Sequence, residues 1–261
     1  MRIASWNVNS LRVRLPQVLA WLEAQRPDLL ALQETKLRDD QFPAQTFRDA
    51  GWHVAYSGEP TYNGVALVSR TPIADSVTEL AGDPASQRRL IAATIDGVRI
   101  YNLYVPNGKA VDSPQFDYKL AWLAALREQL RAELQRHADL AVVGDFNIAP
   151  ADSDVHDPEA WAGAIHCSDA EREALRALLD LGLEDTFRRF DQPPALYSWW
   201  DYRAAAFRRN RGLRIDLILA STQLTAHCRH ATIDVEPRRN ERPSDHAPVV
   251  ADFDRALRGA A

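Results

Sequence analysis

The apolar positions of this chain fall mostly into short β-branched runs that stop at polar residues. Leu140-Ala141-Val142-Val143 reads as a buried strand ended by Gly144, and two polar side chains, Asp145 and Asn147, follow two residues apart. With a strand period of two, both point to one side at the carboxyl end of the strand, placed to orient a water against a substrate. Asp and Asn are also ordinary turn residues, so the stretch alone leaves both readings open. Arg2 to Trp6 is a first strand, running into Asn7-Val8-Asn9-Ser10, and Asp28 to Leu32 a second, running into Gln33-Glu34-Thr35-Lys36. Further strands are expected over Trp52 to Tyr56, Gly64 to Ser69, Leu90 to Ile95, Val98 to Val105, Arg214 to Ala220, Arg229 to Val235 and Pro248 to Phe253, with a hairpin turned at Asp96-Gly97.

Helical spacing appears in fewer places. Leu15, Val18, Leu19 and Leu22 recur in steps of three and four, with Pro16 expected in the first turn. A second helix follows Pro114 and carries Leu123, Leu126, Leu130 and Leu134. A third runs from Ala170 to Leu181 and stops at Gly182. Strand-rich segments with tight hairpins and few helices cannot share one parallel sheet. The expected class is therefore α/β, a four-layer αββα sandwich of two packed mixed sheets flanked by helices. No Gly/Ser linker or low-complexity tract divides residues 1–261, which are expected to form a single domain.

The 46% apolar content is that of an ordinary globular chain. Cys167 and Cys228 have neither CxxC nor Cys/His spacing, which argues against a zinc site or a disulfide framework. Met1 runs directly into a strand, leaving no room for a signal peptide, and no apolar run is long enough to span a bilayer. A cytoplasmic location without membrane contact is the expectation. A net charge of -5 does not advertise a nucleic-acid binder. Yet Arg203, Arg208, Arg209, Arg211 and Arg214 fall within twelve residues, a basic stripe able to hold a phosphate backbone.

The polar strand ends carry the chemistry. Glu34 follows Ala31-Leu32-Gln33, where a carboxylate needs a partner. Magnesium is one candidate, with Asp245 as a second carboxylate; Lys36 or an arginine is the other. His246 adjoins Asp245 and can pair with Asp216, which would hold its tautomer and charge, unless Asp216 merely pairs with Arg214. Neither a serine or cysteine nucleophile signature nor a Gly-rich phosphate loop is present. Together these groups describe a metal-assisted phosphodiesterase.

Trp6-Asn7-Val8-Asn9, Leu32-Gln33-Glu34-Thr35-Lys36, Asn63-Gly64-Val65-Ala66, Gly144-Asp145-Phe146-Asn147, Asn210-Arg211-Gly212-Leu213-Arg214-Ile215-Asp216 and Pro243-Ser244-Asp245-His246-Ala247-Pro248 occur in order between Met1 and Phe253. They resemble the exonuclease III class of apurinic/apyrimidinic (AP) endonucleases, in the endonuclease/exonuclease/phosphatase superfamily, whose fold is the four-layer sandwich. The resemblance implies Glu34 as principal magnesium ligand, with Asn7 and Asp245 supporting it and manganese as a substitute metal. Asp145 would orient or deprotonate the attacking water and Asn147 position it. His246, paired with Asp216, would stabilise a phosphoryl oxygen. Tyr104 would meet the scissile phosphate, as acid or as ligand, and Asn107 would hold the phosphate or flanking backbone. Trp199, Leu213 and Ile215 match the pocket for a flipped-out abasic sugar, Arg203 a groove contact, and Arg208, Arg209 and Arg211 phosphate contacts.

Three departures stand out. Asn9 replaces an acid found in some relatives, and Leu213 replaces an aromatic, which is expected to loosen the pocket. Lys109 lies near an inserting arginine whose role is not carried over. The implied activity is magnesium-dependent incision 5' to AP sites in duplex DNA, with 3'-5' exonuclease and 3'-end cleaning, by a monomer. Two other readings compete with it: hydrolysis of a phosphoinositide or sphingomyelin head group on the same fold, and DNA binding without catalysis.

Overall fold

Strand β1 (Arg2–Asn7) leads through helix α1 (Leu11–Gln25) to β2 (Leu29–Gln33), and α2 (Ala44–Asp49) precedes β3 (His53–Ser57), β4 (Val65–Ser69) and β5 (Ala74–Val77) in the computed structural model, which describes residues 1–83 and 85–254. The hairpin of β6 (Leu90–Ile95) and β7 (Val98–Tyr104) continues into α3 (Pro114–Leu134) and β8 (Leu140–Asp145). Short α4 (Pro158–Trp161) and α5 (Asp169–Leu179) precede β9 (Leu183–Asp185), β10 (Asp216–Ser221), α6 (Thr222–Thr225), β11 (Cys228–Ile233) and β12 (Val249–Phe253). Residues 255–261 of the expected domain lie outside the described residues.

The strands form two six-stranded sheets, ordered β11-β12-β1-β2-β4-β3 and β5-β6-β7-β8-β10-β9. Each contains one parallel pair, β1 with β2 and β7 with β8, joined by α1 and α3 respectively; the other pairs are antiparallel. Alternation then distributes the side chains. Ile3, Leu29, Ala31 and Leu67 face Ile91, Ala93, Ile100, Ala141, Val143 and Ile218 across the space between the sheets. Their neighbours Ala4, Leu30, Leu32 and Val68 face outward onto Val18, Trp21 and Leu22 of α1 and Phe47 of α2. Ala92, Leu103, Val142 and Leu217 face outward from the second sheet onto Trp122, Leu126 and Leu130 of α3 and Leu175 and Leu178 of α5. A strand covered on both faces is apolar at consecutive positions, which is why these strands read as runs. The four layers match the sequence expectation.

Several details differ. Helix α1 opens at Leu11, so Pro16 is its sixth residue and not in the first turn. Leu11 is fully buried and its amide donates to the Thr35 carbonyl, which anchors the helix start earlier than the leucine spacing indicates. Strand β5 has four exposed residues and β9 only three, so neither carried a periodic signal. The run from Leu140 ends as a strand at Asp145. There Asp145 Oδ1 accepts the Asn147 amide at 2.9 Å and Asn147 turns left-handed, with φ 52°. The turn reading is therefore correct, and strand period does not aim Asn147. Gly144 is required here: at φ +142° a Cβ would lie 2.0 Å from the Leu103 carbonyl oxygen of β7. Among the described residues no helix is long and apolar enough to cross a membrane.

Candidate active site

The carboxyl ends of β1, β2, β7 and β8 and the starts of β10 and β12 lie along one rim, because β10 runs antiparallel to β8 and β12 antiparallel to β1. Asp216 therefore opens its strand opposite Asp145, instead of sitting inside an apolar strand as the sequence suggests. One sheet supplies Asn7, Glu34 and His246, the other Tyr104, Asp145 and Asp216. Asn7 joins the halves: its Nδ2 donates to Glu34 Oε1 at 2.8 Å and to Asp145 Oδ2 at 2.9 Å. His246 Nδ1 is 2.9 Å from Asp216 Oδ2, while its Nε2 lies 3.7 Å from Asp145 Oδ2. Arg214 does not compete for Asp216, since its guanidinium pairs with Asp154 and Asp185. Glu34 follows the end of β2 with φ 51°, a conformation that costs a non-glycine residue roughly 1–3 kcal/mol and persists only where surroundings enforce it. Beneath it, Gln33 Nε2 donates to Asn102 Oδ1 at 2.7 Å, and Asn102 Nδ2 donates to the carbonyls of Leu32 and Ala66, tying β7 of one sheet to β2 and β4 of the other.

Burial sets the protonation states. Asp145 is pushed up to about 7, chiefly by burial and then by the charges of Asp216 and Glu34, against His246 and the Asn7 hydrogen bond. Burial works against charge on His246, but Asp216, Asp145 and Asp245 outweigh it and hold the ring at about 10. The Tyr104 phenol is raised well above its ordinary value by burial and by the carboxylates of Glu34 and Asp145, so it keeps its proton. The rim thus offers a poised base, a cation and a neutral hydroxyl acid.

Glu34, Asp145 and His246 each offer a ligand atom, and these atoms lie within 4.8 Å of one another. The two carboxylates fit a divalent cation, whereas the His246 ring, held charged, stands beside that space as a donor and not as a ligand. The salt bridge that the sequence offered as the alternative partner of Glu34 is present, its Oε2 pairing with Lys36 at 2.9 Å. Asn7 turns its Nδ2 to the carboxylates and its Oδ1 to the Asn9 amide, so it stands as a donor; ligation requires its amide turned over. Asp245 lies apart from the cluster, accepting from Asn9 Nδ2 at 2.9 Å and from Trp199 Nε1 at 3.1 Å.

Asn107 Nδ2 donates to Asn147 Oδ1 at 3.2 Å, and Asn147 Nδ2 to the Val105 carbonyl, so these two amides form one unit beside Asp145. Leu213 and Ile215 are buried with Ala149, Val155 and Cys167, and half-buried Trp199 packs onto them. The His166 ring lies 6.3 Å from that of Trp199 and 6.4 Å from that of Trp161. The rings of His166 and Trp161, which sequence reasoning missed, thus lie beside the cluster that holds Leu213 and Ile215. Arg208, Arg209 and Arg211 are exposed, and Arg203 is exposed and paired with Asp201.

Other supports were also missed. Lys119, fully buried on α3, donates to the carbonyls of Asn147 and Asn107 and pairs with Glu171 on α5. Its signal was a lysine on the buried face of α3, three residues after Phe116 and four before Leu123. Ser198 Oγ accepts the amides of Ile215 and Asp216, and Ser244 Oγ donates to the Asn7 carbonyl.

This rim of acids, amides and a histidine on a two-sheet sandwich belongs to a class of proteins. The chain is a member of the endonuclease/exonuclease/phosphatase family, whose model matches residues 4–246. Within that family it belongs with the exodeoxyribonuclease III and AP endonuclease DNA repair nucleases, and it is a nuclease hydrolase. Exodeoxyribonuclease III of Haemophilus influenzae is 35% identical over 270 residues, covering 97% of this chain and 100% of the relative. A solved structure of a 3' phosphatase from Neisseria bound to a product DNA hairpin superposes with a TM-score of 0.96 at 53% identity, covering 98% and 100% of the two chains. An AP endonuclease from Archaeoglobus fulgidus gives 0.94 at 38%, with the same coverage. The nucleases of this family depend on divalent metal, in keeping with the donor set above.

Proposed function

We propose that the chain is a magnesium-dependent DNA repair hydrolase that cleans and trims 3' ends of duplex DNA and, more slowly, incises 5' to AP sites, acting as a monomeric single domain in the cytoplasm. The observation that carries this reading is the pairing of a poised acid with a charged histidine across the two sheets. Glu34 would be the principal holder of magnesium, which would supply charge neutralisation on the phosphoryl oxygens, and Asp145 is left to act as base; manganese shares the preference for oxygen ligands.

The protein's own groups do the rest. Ionised Asp145 accepts the proton of the attacking water and is held in aim by Asn7 and the Asn147 amide. His246, kept charged by Asp216, meets charge that develops on a phosphoryl oxygen. As water bonds to phosphorus and the bond from phosphorus to the 3' oxygen breaks, Tyr104, still protonated, is the proton donor to the departing oxygen, and the Asn107-Asn147 unit borders the phosphate. Arg208, Arg209 and Arg211 take the DNA backbone, and Arg203 enters a groove.

Precedence of 3' ends over AP sites is argued from the rings of His166, Trp161 and Trp199, which lie together beside Leu213 and Ile215, the residues matched to the sugar pocket. The 3' phosphatase relative, at 53% identity, supports the 3'-end part of this reading, and the AP endonuclease at 38% the incision part. The test compares a nicked duplex with a 3' phosphate, a duplex with a recessed 3' hydroxyl and one with an internal AP site, each with magnesium or chelator. Fast phosphate release, slower AP incision and no reaction in chelator are expected. AP incision faster than end processing would reverse the order. Inert duplexes beside turnover of a soluble phosphoester would replace DNA with a head-group substrate.

A further inference from the structure

Arg238 sits where a cation is costly. It is only 6% exposed, and its Nε finds no hydrogen-bond partner among the described residues. Aromatic faces surround it: the guanidinium carbon lies 4.9 Å from the Phe207 ring and 5.7 Å from the rings of Trp200 and Tyr202. A planar, weakly hydrated guanidinium tolerates such a box, because ring faces attract it electrostatically and stack on it. All three rings belong to one segment, 200–207, which runs directly into exposed Arg208, Arg209 and Arg211.

On its other side Arg238 grips the active-site turn. Its Nη1 donates to the Ser244 carbonyl. Ser244 Oγ in turn donates to the Asn7 carbonyl at 2.7 Å and accepts the His246 amide at 3.2 Å. Asn7 is the residue whose side chain binds both Glu34 and Asp145. One hydrogen-bonded path therefore runs from the aromatic box to both halves of the site.

We infer that Arg238 is a positioning residue that couples the arginine-bearing 200–211 segment to the His246 turn. It touches no reacting atom; it fixes the Ser244 carbonyl and hence the placement of His246 and Asn7. Seating of a DNA backbone on the segment is transmitted through the box to the site. This last step rests on the proposed DNA hydrolase activity, whereas the mechanical coupling does not.

The test uses the full chain with R238M, R238K, F207L and the double variant R238M/F207L. Turnover of a 3'-phosphate nicked duplex with magnesium is measured beside the backbone amide shifts of Ser244 to His246 in the free proteins. R238M should lower kcat about tenfold to a hundredfold, the scale of a small misplacement of catalytic groups. Its KM should stay within about threefold, because the segment's own phosphate contacts are untouched. R238K, which keeps charge but not the planar stack, should fall between. F207L should move the same amides and lower kcat, and the double variant should be no slower than R238M, since of the contacts of Phe207 with Arg238, Arg239 and Trp200 only that with Arg238 leads to the Ser244 carbonyl. Wild-type kcat in R238M, independent multiplication of the two losses, or amides 244–246 unmoved by F207L would each overturn the inference. Loss of kcat that merely follows lowered melting temperature would do the same. R238K and F207L carry the test if R238M does not fold. Should the wild-type protein prove inert on DNA, the functional reading fails, and the F207L amide shifts alone decide the coupling.

Discussion

Asp216→Asn removes one charge from the site while keeping its shape. In the wild-type protein the Asp216 carboxylate lies 2.9 Å from His246 Nδ1 and is the largest of three attractions that hold the ring at about 10 against burial. The gap from an ordinary 6.5 to about 10 is worth roughly 5 kcal/mol for the charged ring, at about 1.4 kcal/mol per pH unit. Without Asp216, burial is opposed only by Asp145 and Asp245, and the ring should lose its charge at lower pH than in the wild-type protein. A fall as far as the ordinary 6.5 would leave about 3% of the molecules charged at pH 8, a loss of roughly thirtyfold from ionisation alone. An Asn amide that donates to Nδ1 also moves the ring proton to Nε2; the corresponding tautomer error in a hydrolase triad costs about ten-thousandfold, which bounds the effect from above. The assay is a titration of the His246 ring Cε1 resonance from pH 5 to 10 in chelator, beside single-turnover rates with magnesium. A ring still charged above pH 9 in the variant, with wild-type rates, would show that Asp145 and Asp245 suffice and that Asp216 does not set the charge.

Four further outcomes are expected. Asp145→Asn should lower turnover by at least about a hundredfold, the contribution of one acid/base group, while DNA affinity by fluorescence anisotropy stays near wild type. Wild-type kcat should rise as pH passes through about 7, where Asp145 loses its proton, and decline towards about 10, where His246 loses its charge; a flat rate from pH 6 to 10 would remove both from the chemistry. Ala at Arg208, Arg209 and Arg211 together should weaken binding and flatten its salt dependence by up to about three phosphate contacts, and an unchanged slope would mean that these side chains do not face DNA. Lys119→Met removes the ion-pair partner of fully buried Glu171, so urea unfolding should show a loss of about 3–5 kcal/mol, and a loss under about 1 kcal/mol would mean that the His166 and Ser168 amides and the Ser168 hydroxyl suffice to hold its carboxylate.

The strands that frame the site were legible because both faces of each sheet are covered, which leaves unbroken apolar runs that end in polar residues. Ile3 to Trp6 and Leu29 to Leu32 show this directly. Strand β5 was not legible, since its exposed residues carry no pattern. Asn7, Glu34, Asp145, Asp216 and His246 were legible as polar residues at strand ends, and the structure brings them together. Their mutual geometry was not, because it depends on how two sheets pack, which no local period encodes. Asp245 illustrates the limit: it adjoins His246 in sequence, yet it turns to Asn9 and Trp199. His166, Lys119 and Arg238 act through tertiary contacts of residues ordinary in their own segments, and only Lys119 interrupts an apolar face.

The Gln33–Asn102 hydrogen bond sits between the sheets directly below the site. A register error of one residue in either sheet would break it and turn side chains meant for the interior outward. It would also part Asn7 from Asp145, so a misassembled or half-assembled molecule lacks a competent site. If the chain hydrolyses DNA as proposed, this is a safeguard: a chain whose two sheets have not docked carries every residue of the site but not the arrangement that joins Asn7 to both Glu34 and Asp145.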